Sequence, residues 1–177
     1  MVTVTFIAGL AGTGKSTLGD ALAASLGGVH LDFDEISRMV VDRARLDHSD
    51  LTEAELLLAV KQERYDALHA ALVEQIEHFP GTPVVVSAPF TRQVADPAAW
   101  GVWSQVAPEA LLVWLSVDEA ERARRIAARG ASRDVGAVGR PGSSAPAVPH
   151  LALDAGGSTA ALVEAVVAEL AGPTESE

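Results

Sequence analysis

The chain has 177 residues, the length of a single domain with a core of ordinary size. It contains no cysteine, so disulfides, a thiolate nucleophile and a cysteine zinc cluster are excluded. Its formal net charge of -11 argues against a sequence-independent grip on nucleic acid, because that affinity comes from cationic side chains that neutralise phosphates.

The first predicted element is a strand over residues 2–8, which is rich in β-branched residues. The next eight residues, GLAGTGKS from Gly9 to Ser16, match the pattern G-x-x-x-x-G-K-S, and a helical pattern follows them to Leu26. Glycines let backbone N–H groups approach phosphate oxygens, and the following helix adds its positive end. Lys15 would reach the β- and γ-phosphates, while the Ser16 hydroxyl would coordinate Mg²⁺.

This strand–loop–helix context predicts a phosphate-binding loop that holds ATP with Mg²⁺. The predicted nucleotide-binding residues of the loop are Gly9, Ala11, Gly12, Thr13, Gly14, Lys15, Ser16 and Thr17.

Strands and helices are predicted to alternate along the rest of the chain. The further strands comprise residues 28–32, 84–86, 111–115 and 150–154. The further helices run from Asp34 towards Leu46, from Asp50 or Thr52 to about Phe79, from Pro97 to Val106, from Asp118 to Arg129, and from Ser158 or Thr159 to Leu170. This alternation predicts a three-layer α/β/α fold around a five-stranded parallel sheet.

One domain is predicted over residues 1–171. Residues 130–149 are rich in Gly, Pro, Ser and Ala and are predicted to form a mobile, lid-like loop. Residues 172–177 are predicted to be a disordered tail. No stretch is long enough to span a bilayer, and the chain starts with a strand pattern rather than a signal peptide. We therefore expect a cytoplasmic protein.

Asp32 and Asp34 follow the second strand, at the edge of the sheet where the phosphate-binding loop is also expected. One carboxylate there can serve Mg²⁺, and the other can accept a proton from an attacking hydroxyl. We assign the proton to Asp34. The alternative is that Asp34 only caps the following helix.

Phosphoryl transfer needs positive charge near the γ-phosphate, and the segment after the fourth strand is rich in arginine. Arg129 and Arg133, next to the predicted loop, are the candidates for this role. Arg122 and Arg124 are expected instead to lie on a solvated helix face and to pair with Glu119 or Glu121.

Three further arginines, Arg38, Arg64 and Arg92, are candidates for binding an acceptor, with a surface ion pair as the alternative for each. His30 and His150 are interpreted as structural residues. The tryptophans Trp100, Trp103 and Trp114 are expected in the core rather than in a base-stacking platform.

Taken together, these motifs resemble the P-loop small-molecule kinases, the superfamily of shikimate, gluconate, adenylylsulfate and adenylate kinases. The segment Leu31–Ile36 is similar to the D-x-D segment of shikimate kinase, and Ser87–Phe90 is similar to a strand-end segment of adenylylsulfate kinase. Arg125–Arg129 resembles the R-I-x-G-R segment of adenylate kinase. The glycine triplet that shikimate kinase carries after its third strand is replaced by Ser87-Ala88-Pro89.

The resemblance implies a sheet order of 2-3-1-4-5 and a set of residue roles. Asp32 would serve the metal, Asp34 would contact the acceptor hydroxyl and Phe90 would lie beside the acceptor. Arg125 would lie on the adenine, and Arg129 would reach the phosphates.

We therefore predict an ATP-dependent kinase that phosphorylates a hydroxyl of a small metabolite or natural product, as a monomer or homodimer. Its predicted catalytic residues are Lys15, Asp34, Arg129 and Arg133, and its predicted acceptor-binding residues are Asp34, Arg38, Phe90 and Arg92. A nucleoside or nucleotide kinase and a P-loop ATPase switch without a small acceptor are the alternatives.

Overall fold

The computed structural model describes residues 3–129 and 145–172. All five predicted strands are present within these ranges. The strands are β1 (Val4–Ala8), β2 (Val29–Asp32), β3 (Val84–Ser87), β4 (Leu111–Ser116) and β5 (Leu151–Asp154). The helices are α1 (Lys15–Leu26), α2 (Phe33–Ile36), α3 (Arg38–Asp47), α4 (Glu53–Ala59), α5 (Lys61–His78), α6 (Pro97–Val106), α7 (Glu119–Arg129) and α8 (Thr159–Leu170).

The five strands form one parallel sheet in the order β2-β3-β1-β4-β5, which confirms the predicted fold and strand order. The central strand β1 pairs with β3 on one side and β4 on the other, and all its residues are buried. Because the strands are parallel, the carboxyl ends of β1, β2 and β3 lie at the same edge of the sheet. The glycine-rich loop, Asp32 and Ser87 are therefore neighbours.

Successive residues of β1 pack against opposite helical layers. Phe6 belongs to a core cluster that includes Leu68 of α5 and Trp103 of α6. The next residue, Ile7, belongs to a second cluster with Leu18 of α1 and Val166 of α8. The sheet is thus the middle layer between two helical layers.

The tryptophans lie in the core, as predicted. The rings of Trp100 and Trp103 pack edge to face on Phe6 and Phe90, with the centroids of Trp103 and Phe90 4.9 Å apart. Trp114 of β4 is also buried. Trp103 and Trp114 are enclosed by protein, and the partly buried Trp100 packs against the same cluster, so the rings are core residues rather than a platform for a base.

Two predicted helices are each divided into two. The helix expected from Asp34 to Leu46 breaks at Ser37, where α2 ends and α3 begins. The long helix expected to end near Phe79 is interrupted at Val60, and of the two suggested caps it is Thr52 that begins α4, in a capping box with Glu55.

Val60, the residue at the break, is buried. Its side chain belongs to a small cluster with Val41 and Ala44 of α3 and Leu56 of α4. Helix α4 packs on α3, while α5 also packs against strands β3 and β2 of the sheet.

The predicted lid-like loop falls mainly on residues 130–144, which lie outside the described residues. Its last part is described, and there Val148 is buried in the large core cluster while the N–H of Ala147 donates to the carbonyl of Val94 at 2.8 Å. Of the predicted tail, residues 173–177 also lie outside the described ranges, so both the tail and the domain limits stay predictions.

Within residues 3–129 and 145–172, no helix combines the length and the apolar character needed to cross a membrane.

Candidate active site

The glycine-rich loop connects β1 to α1 in a conformation that depends on its glycines. Gly9, Gly12 and Gly14 have φ angles of 150°, 84° and 93°, which side-chain-bearing residues rarely adopt. A Cβ on Gly9 would also lie 2.3 Å from the carbonyl oxygen of Leu115, and one on Gly12 would lie 2.9 Å from Ile126 Cγ1. The loop is therefore seated on the end of β4 and on α7.

Polar side chains of the loop fold back onto its own backbone. Lys15 Nζ donates to the carbonyl of Leu10 at 2.8 Å, and Thr13 Oγ1 donates to the same carbonyl at 3.0 Å. Helix α1 begins at Lys15, so its first backbone N–H groups face the loop. This arrangement is suited to phosphate binding.

Ser16 and Asp32 are in direct contact at the mouth of this loop. Ser16 Oγ donates a hydrogen bond of 2.6 Å to Asp32 Oδ2. The other carboxylate oxygen, Oδ1, caps α2 by accepting from the N–H groups of Asp34 and Glu35 at 2.9 and 3.2 Å. The capping role considered for Asp34 therefore belongs to Asp32, the residue immediately before the helix.

Hydrogen bonds keep Asp32 ionised. Burial by itself raises the pKa of this carboxyl, but the hydrogen bonds from Ser16, Ser87 and the Glu35 N–H, with His30 nearby, outweigh it and lower the pKa below its ordinary value. An ionised carboxylate beside a hydroxyl is a pair of hard oxygen donors.

The Ser16–Asp32 pair fits Mg²⁺. Among the described residues, no group of three or more His, Cys, Asp or Glu side chains could enclose a metal ion. Mg²⁺ does not need such a group, because it usually keeps several waters and takes one or two protein ligands together with substrate phosphates.

Ser87 and His30 complete a chain of polar contacts that the sequence analysis missed. Ser87 Oγ donates to Asp32 Oδ2 at 2.9 Å, and His30 Nε2 lies 2.9 Å from Ser87 Oγ. His30 Nδ1 lies 2.7 Å from Asp20 Oδ1. The sequence did offer one signal for this contact chain. His30 and Asp32 are two residues apart on the same strand, and alternate residues of a strand lie on the same face of the sheet.

Asp34 is held by a buried arginine. Arg64 of α5 is 8% exposed, and its Nη2 donates to Asp34 Oδ1 at 2.6 Å while its Nε donates to Ser37 Oγ at 2.9 Å. The guanidinium also lies 4.2 Å from the centre of the Phe33 ring. The ion pair considered for Arg64 is therefore present, with Asp34 as its partner, but the arginine is buried rather than on the surface.

A cavity of about 560 Å³ opens in front of Ser16, Asp32 and Asp34. Helices α3 and α4 form its far wall through residues such as Val41 and Leu57. The carboxylates in its lining are Asp20, Asp32, Asp34, Glu35, Asp42 and Glu53.

The arginines in the described lining pair with those carboxylates. Arg45 donates to both carboxylate oxygens of Glu53, at 2.8 and 2.9 Å, and lies 3.4 Å from Asp42. Arg38, which is exposed, has its Nη2 3.8 Å from Glu35. The predicted acceptor residue Arg38 is thus in the cavity wall.

Two other predicted acceptor residues lie elsewhere. Arg92 is exposed and is not among the described residues that line the cavity. Phe90 has no exposed surface, because its ring packs among the core aromatic residues and its N–H donates to the Tyr65 hydroxyl at 3.1 Å. The expectation that Phe90 lies against the acceptor is therefore corrected: its side chain is part of the core.

Helix α7 supplies an arginine beneath the loop. Arg122 is 2% exposed, donates to Glu119 at 2.9 and 2.7 Å, and reaches the carbonyl of Ala11 at 3.5 Å. Its expected pairing with Glu119 is present, but the expected solvated position is wrong because the loop covers it. Arg124 is exposed and pairs with Glu121, as expected.

Arg125 lies beside the loop. Its Nε donates to Glu121 at 2.6 Å and its Nη2 to the carbonyl of Ala155 at 2.9 Å, while Nη1 would be 3.8 Å from a Cβ on Gly14. This position is compatible with its predicted contact to a nucleotide. Arg133 and the side chain of Arg129 lie outside the described residues.

Comparisons with known proteins agree with this architecture. A family model described as an AAA domain matches residues 4–140. The fold is similar to that of APS kinase from Mycobacterium tuberculosis, with 17% identity over 97% of this chain and 98% of that one and a TM-score of 0.66. No curated protein sequence matches the chain significantly.

Two further solved structures show the same fold. A sugar kinase from a Janibacter species has 16% identity over 97% of this chain and 95% of its own, with a TM-score of 0.64. A gluconokinase from Sinorhizobium meliloti has 22% identity over 96% of this chain and 91% of its own, with a TM-score of 0.60. The chain therefore belongs to the AAA domain family, and its fold is that of the P-loop small-molecule kinases.

Proposed function

We propose that this protein is an ATP-dependent phosphotransferase that moves the γ-phosphoryl group to a hydroxyl of a small molecule. The observation that carries the proposal is the 2.6 Å contact between Ser16 and Asp32, which joins the phosphate-binding loop to the acidic end of β2. Asp34 lines the same cavity, so donor and acceptor chemistry share one cleft.

On the donor side, the loop N–H groups and Lys15 would bind the phosphates of ATP, and Arg125 would contact the adenine. Ser16 and Asp32 would hold Mg²⁺, which neutralises charge on the β- and γ-phosphates when it is bound. The donor set of one hydroxyl and one ionised carboxylate supports this assignment.

On the acceptor side, Asp34 is the proposed general base. The acceptor oxygen forms a bond to the γ-phosphorus as the bond from that phosphorus to the β–γ bridging oxygen breaks. ADP leaves, and the hydroxyl proton passes to Asp34. Arg64 supports this role by fixing the carboxylate through the 2.6 Å contact to Oδ1. Arg129 and Arg133 are proposed to stabilise the charge that develops on the transferred group.

The described lining of the cavity favours an acceptor without negative charge. Six carboxylates line it, and Arg38 and Arg45 already face Glu35 and Glu53. An acidic acceptor would have to displace these carboxylates from the arginines, whereas a neutral or amine-bearing hydroxyl compound would not.

We further propose that the enzyme is cytoplasmic and that it acts as a monomer or homodimer.

A substrate screen tests the proposal. ADP formation is measured with neutral, amine-bearing and acidic hydroxyl compounds and with nucleosides, and ³¹P NMR of the product identifies a phosphate ester. We expect a neutral or amine-bearing compound to stimulate ADP formation and to become phosphorylated. Stimulation by nucleosides alone would favour a nucleoside kinase. ATP hydrolysis that no compound stimulates would overturn the proposal in favour of a P-loop ATPase switch.

A further inference from the structure

We propose that His30 and Ser87 are positioning residues for the metal site, and that His30 acts by orienting the Ser87 hydroxyl towards Asp32. The inference rests on the proposed function only in assigning Asp32 to Mg²⁺. It gives a role to a histidine that the sequence suggested was structural.

The direction of the hydrogen bonds determines what His30 contributes. Ser87 Oγ donates its proton to Asp32 Oδ2 at 2.9 Å. A hydroxyl has one proton to donate, so the 2.9 Å contact between His30 and Ser87 Oγ requires an N–H on His30 Nε2. His30 therefore holds the Ser87 oxygen from one side and leaves its proton directed at Asp32 from the other.

The backbone places these residues for this task. Asp32 of β2 is directly opposite Ser87 of β3 in the parallel pair, and His30 is two residues before Asp32 on the same face. The imidazole is 9% exposed, and its Nδ1 lies 2.7 Å from Asp20 Oδ1 of α1. A carboxylate oxygen only accepts, so this contact also needs an N–H, and both ring nitrogens carry a hydrogen in this arrangement. The chain of contacts thus runs from α1 across two strands to the metal carboxylate.

A glycine in α1 makes room for the imidazole. A Cβ on Gly19 would lie 2.2 Å from His30 Nε2 and 2.5 Å from Cε1, so a larger residue there would displace the ring. Gly19 is in the interior of α1, where glycine lowers helix stability relative to alanine. Its presence is explained by the space that His30 occupies.

Asp32 needs this support once a cation is present. Oδ1 is held by the N–H groups at the start of α2, while Oδ2 accepts from Ser16 and Ser87. The Ser16 oxygen is the proposed metal ligand, so only the Ser87 bond would continue to orient Oδ2. Loss of such an outer partner typically lowers metal affinity about 10–100-fold.

Calorimetry separates positioning from simple packing. The affinity for ATP is measured once with Mg²⁺ and once with EDTA, in the wild type and in Ser87→Ala, His30→Leu and His30→Gln. We expect Ser87→Ala and His30→Leu to bind MgATP at least about tenfold more weakly than the wild type, with the affinity for metal-free ATP nearly unchanged. His30→Gln can place an amide N–H near the Nε2 position and is expected to retain most of the MgATP affinity.

Gly19→Ala gives an independent test, because it displaces His30 without removing a polar group. It is expected to weaken MgATP binding as His30→Leu does. Gly101→Ala is the matched control. Gly101 also lies inside a helix, α6, and apart from its chain neighbours and the backbone of α6, no atom of the described residues lies within 4 Å of its Cβ position. This control is expected to bind MgATP as the wild type does.

Equal MgATP affinity in the wild type, Ser87→Ala and Gly19→Ala would overturn the inference. So would an equal loss with and without Mg²⁺, since that result indicates a general packing defect. Failure of the proposed function is distinguishable: the wild type would then bind MgATP but phosphorylate no hydroxyl compound, and the metal dependence of the variants could still be measured.

Discussion

Asp34 and Arg64 are 30 residues apart in sequence, yet Arg64 Nη2 donates to Asp34 Oδ1 at 2.6 Å. Arg64 is buried, whereas the Asp34 side chain is 44% exposed and lines the cavity. The pair therefore has one member in the protein interior and one in the cleft. The hydrogen bond from Arg64 holds the carboxylate of Asp34, the proposed general base, in a fixed orientation relative to α5.

Replacing Asp34 with asparagine should separate catalysis from binding. Asparagine still offers an oxygen to Arg64, so the geometry is retained while the proton acceptor is lost. We expect kcat to fall about 10²–10⁴-fold, the usual contribution of a general base. ATP affinity, measured by calorimetry, should stay close to that of the wild type. Asp66→Asn, an exposed change on α5, is the control. Near-normal turnover of Asp34→Asn would remove the base assignment.

Replacing Arg64 with methionine should destabilise the fold. The change removes the bonds to Asp34 and Ser37, so the carboxylate of Asp34 loses its charged hydrogen-bond donor from α5. We expect the free energy of unfolding to fall by about 1–3 kcal/mol, less than for a fully buried pair because Asp34 is partly solvated.

Urea unfolding measures this change in stability. Arg64→Lys keeps the charge but cannot reach both partners with one planar group, so it should recover only part of the loss. Arg43→Met, an exposed change on α3, should alter stability little. Equal stability of Arg64→Met and the wild type would contradict the expected role of the pair.

Lys15→Ala should abolish turnover and weaken ATP binding. The ammonium donates to the Leu10 carbonyl at 2.8 Å, and we have proposed that it binds phosphate oxygens. Hydrogen bonds to charged groups contribute about 1.5–3 kcal/mol, so we expect at least about tenfold weaker binding. The control is Lys61→Ala, an exposed lysine at the start of α5. Retained turnover in Lys15→Ala would contradict phosphate binding by this loop.

Tyr65 provides a pH-dependent probe of the core. Burial raises its pKa to about 12, although the Phe90 N–H donates to its oxygen and Arg64 is nearby. The ordinary pKa is about 10, so the stability linked to Tyr65 is complete below about pH 10 and is lost as the pH rises from there towards the folded-state value.

Absorbance of the tyrosinate reports this titration directly, because Tyr65 is the single tyrosine of the sequence. We expect it to develop near pH 12, or together with unfolding measured by circular dichroism. Tyr65→Phe should lack both the signal and the alkaline loss of stability that belongs to this group. Ionisation near pH 10 in a folded chain would show that the hydroxyl is solvated.

The glycine-rich loop, the five strands and their order were predictable because their signals are local or belong to a resemblance that spans the chain. The pattern from Gly9 to Ser16 consists of consecutive residues, and the glycines, the lysine and the serine each have a known role in binding phosphate or its metal ion. The helix breaks at Ser37 and Val60 were not predictable from local signals, because neither position carries a proline or a glycine.

By itself, the sequence determined that a phosphate-binding loop and the acidic end of β2 lie at one edge of a parallel sheet. Only the tertiary structure decided which side chains complete that site. It placed Phe90 in the core, gave the cap of α2 to Asp32, and brought Arg64 to Asp34 across 30 residues of sequence. That last contact depends on how α5 packs against α2, and no local pattern of residue types encodes that packing.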